Sequence, residues 1–169
     1  MRPCAREVPA GSGDWPVTPG HVAAFEPAMR LALEQATASA SDVPVGAVVL
    51  DPSGTVIGRG RNRRKAKADP TAHAEIMAIR AAAGALGRWR LDGCTLVVTL
   101  EPCTMCAGAV TSARLGRLIY GTADARAGAA GSLWDVVRDR RLGQDVEVIG
   151  GVLAQECAAL LREFFERRR

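Results

Sequence analysis

Two short stretches of this chain carry side chains whose types and spacing suit chemistry. One is "HAE", with His73 and Glu75; the other, thirty residues on, is "PCTMC", with Cys103 and Cys106. Cysteines at i and i+3 on a helical turn share a face, so both sulfurs can reach one point. A helix N-terminus, with its unpaired N–H groups, also favours the thiolate form. Two thiolates and an imidazole make a set that Zn2+ accepts in tetrahedral geometry. The ligand count then separates structure from catalysis. Structural zinc closes with four protein ligands, whereas catalytic zinc keeps three and leaves a corner for water. Three candidates are evident here: His73, Cys103 and Cys106. Glu75, two residues from His73, can reach a water at that corner without ligating the metal, and zinc brings such a water's pKa towards neutrality. The chemistry implied is metal-assisted hydrolysis, with Glu75 carrying protons.

Each piece alone says little. Glutamate is favoured in any first helical turn by the dipole, and a lone CxxC also suits a redox pair. The conjunction points to zinc, with a strand before "PCTMC" and Pro102 opening the helix. Cys94 and Cys157 lie in apolar runs and read as small core residues. Cys94 is nonetheless the one candidate for a fourth ligand, which a non-catalytic, zinc-stabilised RNA-binding module would need.

For the ligands to converge, both helices must begin at the same edge of a sheet. Helical spacing marks His21 to Ala40, through Phe25, Met29, Ala32, Leu33 and Ala36. "VGAVVLD" and "TVIGRGRN", joined by "PSG", read as a hairpin. Thr71 to Leu86 reads as a helix with Ile76, Ile79, Ala83 and Leu86 as its apolar stripe. "CTLVVTL" suits a central strand covered on both faces. "PCTMCAGAVTSA" is expected to be a helix with Pro102 at its start, where a missing N–H is harmless. "GRLIYG" and "DVEVIG" read as strands, with "SLWDVVRD" a short helix between them. Val152 to Arg167 closes the chain as a helix burying Leu153, Cys157, Leu160, Leu161 and Phe164. The order α-β-β-α-β-α-β-α-β-α gives one sheet with helices packed on it, and the long gap between the last two strands suits a parallel crossover.

A length of 169 residues is about one domain. No apolar run approaches the roughly 18 residues needed to span a bilayer, and no secretory signal stands at the start, so a cytoplasmic protein with reduced thiols is expected. Five cysteines with one tight pair make a poor disulfide framework. Residues 1–20, rich in Pro and Gly, read as a flexible extension in which Cys4 and Trp15 are incidental; residues 21–169 form the domain. A net charge of +4 permits a polyanionic partner. More pointed is the run Arg59, Arg61, Arg63, Arg64, Lys65 and Lys67, six cations in nine residues leading into the His73 helix. Such a run suits phosphates tracked towards the metal, although charge runs are commonly just solvated faces.

"HAE" followed by "PCTMC" matches H-x-E…P-C-x-x-C, the established signature of the cytidine-deaminase-like zinc deaminases, whose mechanism is likewise already known rather than deduced from this chain. "VPVGAVVL", "NRRKAKADPTAHAEIMAIR", "TLEPCTMCAGA", "GTADARAGAAGSLWDV" and "GVLAQECAALLREFF" extend the resemblance from about Phe25 to Phe165, and within that superfamily the chain resembles the bacterial tRNA-specific adenosine deaminases. The resemblance implies a three-layer α/β fold, a five-stranded mixed sheet with helices on both faces. It implies hydrolytic deamination of the wobble adenosine of an arginine tRNA to inosine, with one Zn2+ per subunit on His73, Cys103 and Cys106 activating water and Glu75 shuttling protons. By the same carry-over Asn62, Ala74 and Leu100 bind the target base and Asp124 contacts the neighbouring nucleotide. Arg63, Arg64, Lys65 and Lys67 would meet the RNA backbone of the anticodon stem-loop, and the enzyme would be a homodimer free of membranes. Guanine deaminases share even "DPTAHAE", so a deaminase of a free base such as guanine or cytosine is the nearest rival.

Overall fold

The computed structural model describes residues 19–168; the side chains of residues 19–21 and all of residues 1–18, including Cys4 and Trp15, lie outside the described part. Six α-helices and five strands follow in the order α1 Pro19–Ala24, α2 Glu26–Thr37, β1 Gly46–Leu50, β2 Val56–Arg61, α3 Arg64–Lys67, α4 Ala74–Leu86, β3 Thr95–Leu100, α5 Thr104–Ser112, β4 Arg117–Thr122, β5 Glu147–Gly150 and α6 Ala154–Glu166. The helix expected from His21 is two helices, and it starts at Pro19, inside the stretch read as an extension. They break at Phe25, and Pro27 falls in the first turn of α2, the place where a proline's missing N–H does no harm.

The sheet runs β2-β1-β3-β4-β5, with β1 antiparallel to both neighbours and β3, β4 and β5 parallel. Alternation sorts its side chains into two cores. Ala47, Val49, Leu96, Val98 and Leu118 point to the face covered by α4 and α5, whereas Val48, Leu50, Val97, Ile119 and Ile149 point to the face covered by α2 and α6. This is the expected three-layer α/β arrangement. Because β1 runs against β2 and β3, its start shares an edge with the ends of β2, β3 and β4. Helices α4 and α5, which return from the ends of β2 and β3, begin at that same edge.

Four details correct the sequence reading. The buried stripe of α4 is Ala74, Glu75, Ala78, Ile79 and Ala82, while Ile76, Ala83 and Leu86 are only partly covered. The cause lies on β2: a Cβ at Gly60 would sit 2.1 Å from the Ala74 carbonyl oxygen, and one at Gly58 2.4 Å from that of Ala78. The helix lies so close to the strand that alanines, Ala74, Ala78 and Ala82, face these two glycines. "SLWDVVRD" forms no α-helix; its backbone is engaged elsewhere, Gly131 N–H with Trp134 O and Val136 N–H with Ala129 O, and only a 3-10 turn at Arg140–Leu142 follows. Pro102 precedes rather than opens α5, whose N-cap is Cys103. On α6 only Cys157 of the expected face is fully buried, the others being partly so.

Candidate active site

His73 and Cys103 are the N-cap residues of α4 and α5, both in extended backbone, and neither side chain makes a capping bond to the helix backbone. They turn towards each other instead. Nδ1 of His73 lies 3.7 Å from Sγ of Cys103 and 3.5 Å from Sγ of Cys106. A zinc ion with Zn–S of about 2.3 Å and Zn–N of about 2.0 Å at the tetrahedral angle requires a sulfur–nitrogen separation of ~3.5 Å. The three donors stand at that spacing, so the residues fit the metal. They form the sole metal-binding group of this kind among the described residues. Cys94 does not join them: it stands just before β3, at the end opposite Leu100, about 20 Å away by strand rise. A closed four-ligand site therefore lacks its fourth residue.

The three donors share protons among themselves. The Cys103 thiol is lowered to about 3, first by the hydrogen bond from Cys106 and then by His73. Cys106 is raised, because it donates to Cys103 and is buried beside Glu75. His73 is raised by its bond to Cys103. Metal binding requires both thiols deprotonated and the imidazole neutral, so ligation would release protons from this cluster. Glu75, in the first turn of α4, is 4% exposed, and burial raises its carboxyl above the usual range.

A cavity of about 170 Å3 opens over these groups, lined by His73, Glu75, Cys103, Asn62, Ala74 and Leu100 together with Val43, Val45, Arg64, Glu101, Asp124 and Ala127. Every expected base-binding position is thus at the cavity. Asn62 follows β2 and is held in place: its amide donates to Val43 O at 3.1 Å and its oxygen accepts from Arg64 N–H at 3.4 Å. One of its two amide N–H groups remains for a ligand. Asp124 is partly committed, its carboxylate accepting the N–H groups of Arg126 and Ala127. Of the basic run, Arg64 lines the cavity and Arg63, Lys65 and Lys67 stand on or next to the short helix α3.

Sequence reasoning passed over two buried carboxylates. Asp42 accepts the N–H groups of Lys65 and Ala66 at 2.8 and 3.2 Å, capping α3 from outside. Glu101, 1% exposed, accepts N–H groups of Asp124, Ala130 and Ser132 and the Ser132 hydroxyl. Their partners are backbone groups distant in sequence, which no spacing rule marks; the one available signal was an acidic residue beside each motif.

Residues 24–122 match the cytidine and deoxycytidylate deaminase zinc-binding region. The chain belongs to that family. Among relatives of this chain, the tRNA-specific adenosine deaminase of Haemophilus influenzae is 46% identical over 85% of this chain and 84% of that protein. The tRNA(Ile)-lysidine synthase of Deinococcus radiodurans is 50% identical over 89% of this chain, which spans a quarter (25%) of that protein's length. A solved structure from a study of A-to-I editing by tRNA:A34 deaminases at the wobble position superposes with a TM-score of 0.76 at 43% identity, covering 79% of this chain and 98% of that one. A guanine deaminase from Nitrosomonas europaea superposes with a TM-score of 0.72 at 30% identity, covering 82% and 83%. Zinc is the family's metal, and His73, Cys103 and Cys106 are the group that could hold one ion.

Proposed function

We propose that this chain hydrolyses adenosine to inosine at the wobble position of a tRNA anticodon, that of an arginine tRNA, releasing ammonia. One observation carries the choice of substrate: the catalytic cavity is not closed around a free base. It opens on one side to the basic segment through Arg64. On another it joins a groove of about 660 Å3, with Val43, Leu100, Asp124 and Ala127 lining both. A free base fills the cavity alone; an unstacked anticodon nucleotide with its neighbours and phosphates also uses the groove and the basic segment. The 46% identity to a tRNA-specific adenosine deaminase supports the same choice.

In this reading His73, Cys103 and Cys106 hold the zinc, which when bound acidifies and orients the attacking water. Glu75 takes one proton from the attacking water and gives it to N1 of the adenine, then takes the second from the new C6 hydroxyl and gives it to the departing amine, which leaves as ammonia. Its burial suits that task, since a carboxyl held above its usual range accepts a proton more readily and can still give it up. Asn62 holds the base with its free amide N–H, and Ala74 and Leu100 pack against the ring. Residues 21–169 act as one deaminase domain. The cytoplasm suits the four free cysteines among the described residues. No described helix is long and apolar enough to cross a membrane. A homodimer belongs to the same reading, and Leu133 and Trp134, more than half exposed on the crossover loop, are side chains a second copy would cover.

A substrate panel tests the assignment. Incubated with zinc-loaded protein, an arginine tRNA anticodon stem-loop should yield inosine by nucleoside mass spectrometry, whereas free guanine and cytosine should remain. Turnover of a free base without turnover of the RNA would replace this reading with the free-base one.

A further inference from the structure

We propose that Glu101 is a positioning residue for substrate fit: its carboxylate holds the 124–132 loop as the ridge between the catalytic cavity and the neighbouring groove. Glu101 follows β3 directly and precedes the Pro102–Cys103 segment, so its backbone is anchored, its N–H bonding Thr122 O at 2.9 Å. From that fixed point the side chain accepts Asp124 N–H on one oxygen and the N–H groups of Ala130 and Ser132 on the other, each at 3.0 Å. The Ser132 hydroxyl adds a fourth bond. A carboxylate offers about four acceptor positions, and one loop takes them all.

Most of the loop's other bonds run within it or to its own continuation, Gly128 N–H to Asp124 O and Val136 N–H to Ala129 O among them, and Ala129 and Ala130 are buried in the core. Ala129 N–H bonds Pro102 O at 2.8 Å, Arg138 reaches Ala130 O, and Asp124 caps its own turn. Gly128 passes so near that a Cβ there would lie 2.5 Å from the Glu101 carboxylate, which ties the chain to this one side chain. The loop has no helix or strand of its own, and it supplies Asp124 and Ala127 to both cavities. His73, Glu75 and Cys106 are held otherwise, by α4 and α5 on the sheet, and Cys103, although bridged to Gly128, is fixed as the N-cap of α5. Glu101 therefore governs where the nucleotide beside the target rests and leaves the chemistry of deamination to others.

The substitution Glu101→Gln keeps the volume but replaces one acceptor oxygen with an NH2 that faces N–H donors. Zinc should stay at one per chain by metal analysis. For an anticodon stem-loop KM should rise roughly tenfold, the effect of a buried donor left unpaired, with kcat within about twofold of wild type. Ser132→Ala, which removes one bond of the four at an exposed residue, should raise KM about threefold by the same reasoning. The kinetic arm rests on the RNA-deaminase reading. Hydrogen exchange does not: the amides of Asp124, Ala130 and Ser132 should lose protection in Glu101→Gln while those of α4 and α5 keep theirs. Unchanged KM with unchanged protection, or a loss confined to kcat or to zinc, would overturn the proposal. Loosened amides in a protein whose wild type forms no inosine would uphold the loop's dependence on Glu101 and discard the substrate.

Discussion

Glu75 occupies a position that a carboxylate would not take for stability: 4% exposed, beside two sulfurs, under a helix whose other buried residues are mainly alanines. Burying an ionisable group without a full set of partners costs free energy, and functional sites commonly carry such strain. Glu75→Gln retains the shape and removes the proton chemistry. Zinc content should stay at one per chain and Tm should equal or exceed that of wild type, while inosine formation falls by about 10^2- to 10^4-fold. A markedly lower Tm would mean that the carboxylate supports the fold. His73→Ala differs in kind, because it deletes the one nitrogen ligand; zinc and activity should be lost together. Cys157→Ala, buried against Gly121 on the other face of the sheet, should keep both and cost about 1 kcal/mol of stability in denaturant unfolding.

At the scale of elements, the closeness of α4 to β2 sets where His73 stands. Gly60→Ala would place a methyl 2.1 Å from the Ala74 carbonyl and 2.5 Å from Ala78 N, so the helix must move and take the His73 N-cap with it. Unfolding free energy should drop by roughly 1–3 kcal/mol, and zinc affinity should fall with it in a chelator competition. Gly84→Ala on the same helix meets nothing within 4 Å; there the gain in helix propensity should raise stability by about 0.5–1 kcal/mol. Opposite signs from two glycines of adjoining elements are the expected result, read from melting curves. These cases also show what the sequence conveys. The ligand trio was legible because its spacing is local, two cysteines three residues apart at one helix start and a histidine at another. The strands were legible from apolar runs. The tight α4–β2 contact was not, since Gly58 and Gly60 look like breakers until the helix above them is placed. "SLWDVVRD" misled because Leu133, Val136 and Val137 repeat at helical intervals, while its amide groups answer to other partners, Ser132 N–H to Glu101 and those of Leu133, Trp134 and Val136 to Gly128 and Ala129.

For the whole molecule, the question is whether a net charge of +4 attracts RNA diffusely or through one face. Arg63, Arg64, Lys65 and Lys67 border the catalytic edge of the sheet, on a segment that Asp42 pins by its backbone. Arg88, Arg90, Arg114 and Arg117 lie at the opposite edge, after α4 and before or at the start of β4. Neutralising either set to alanine removes the same charge, four units, and brings the chain to a formal net charge of zero. Each cation that meets a phosphate of a single-stranded loop contributes about 0.7 to the slope of log K against log salt. The first set should therefore lower the slope for anticodon stem-loop binding by ~3 and the second should leave it nearly unchanged. Fluorescence anisotropy titrations across a range of salt concentrations measure both. Equal losses from the two sets would show that bulk charge alone draws the RNA; a loss confined to the first set places its phosphates along the path from α3 to His73.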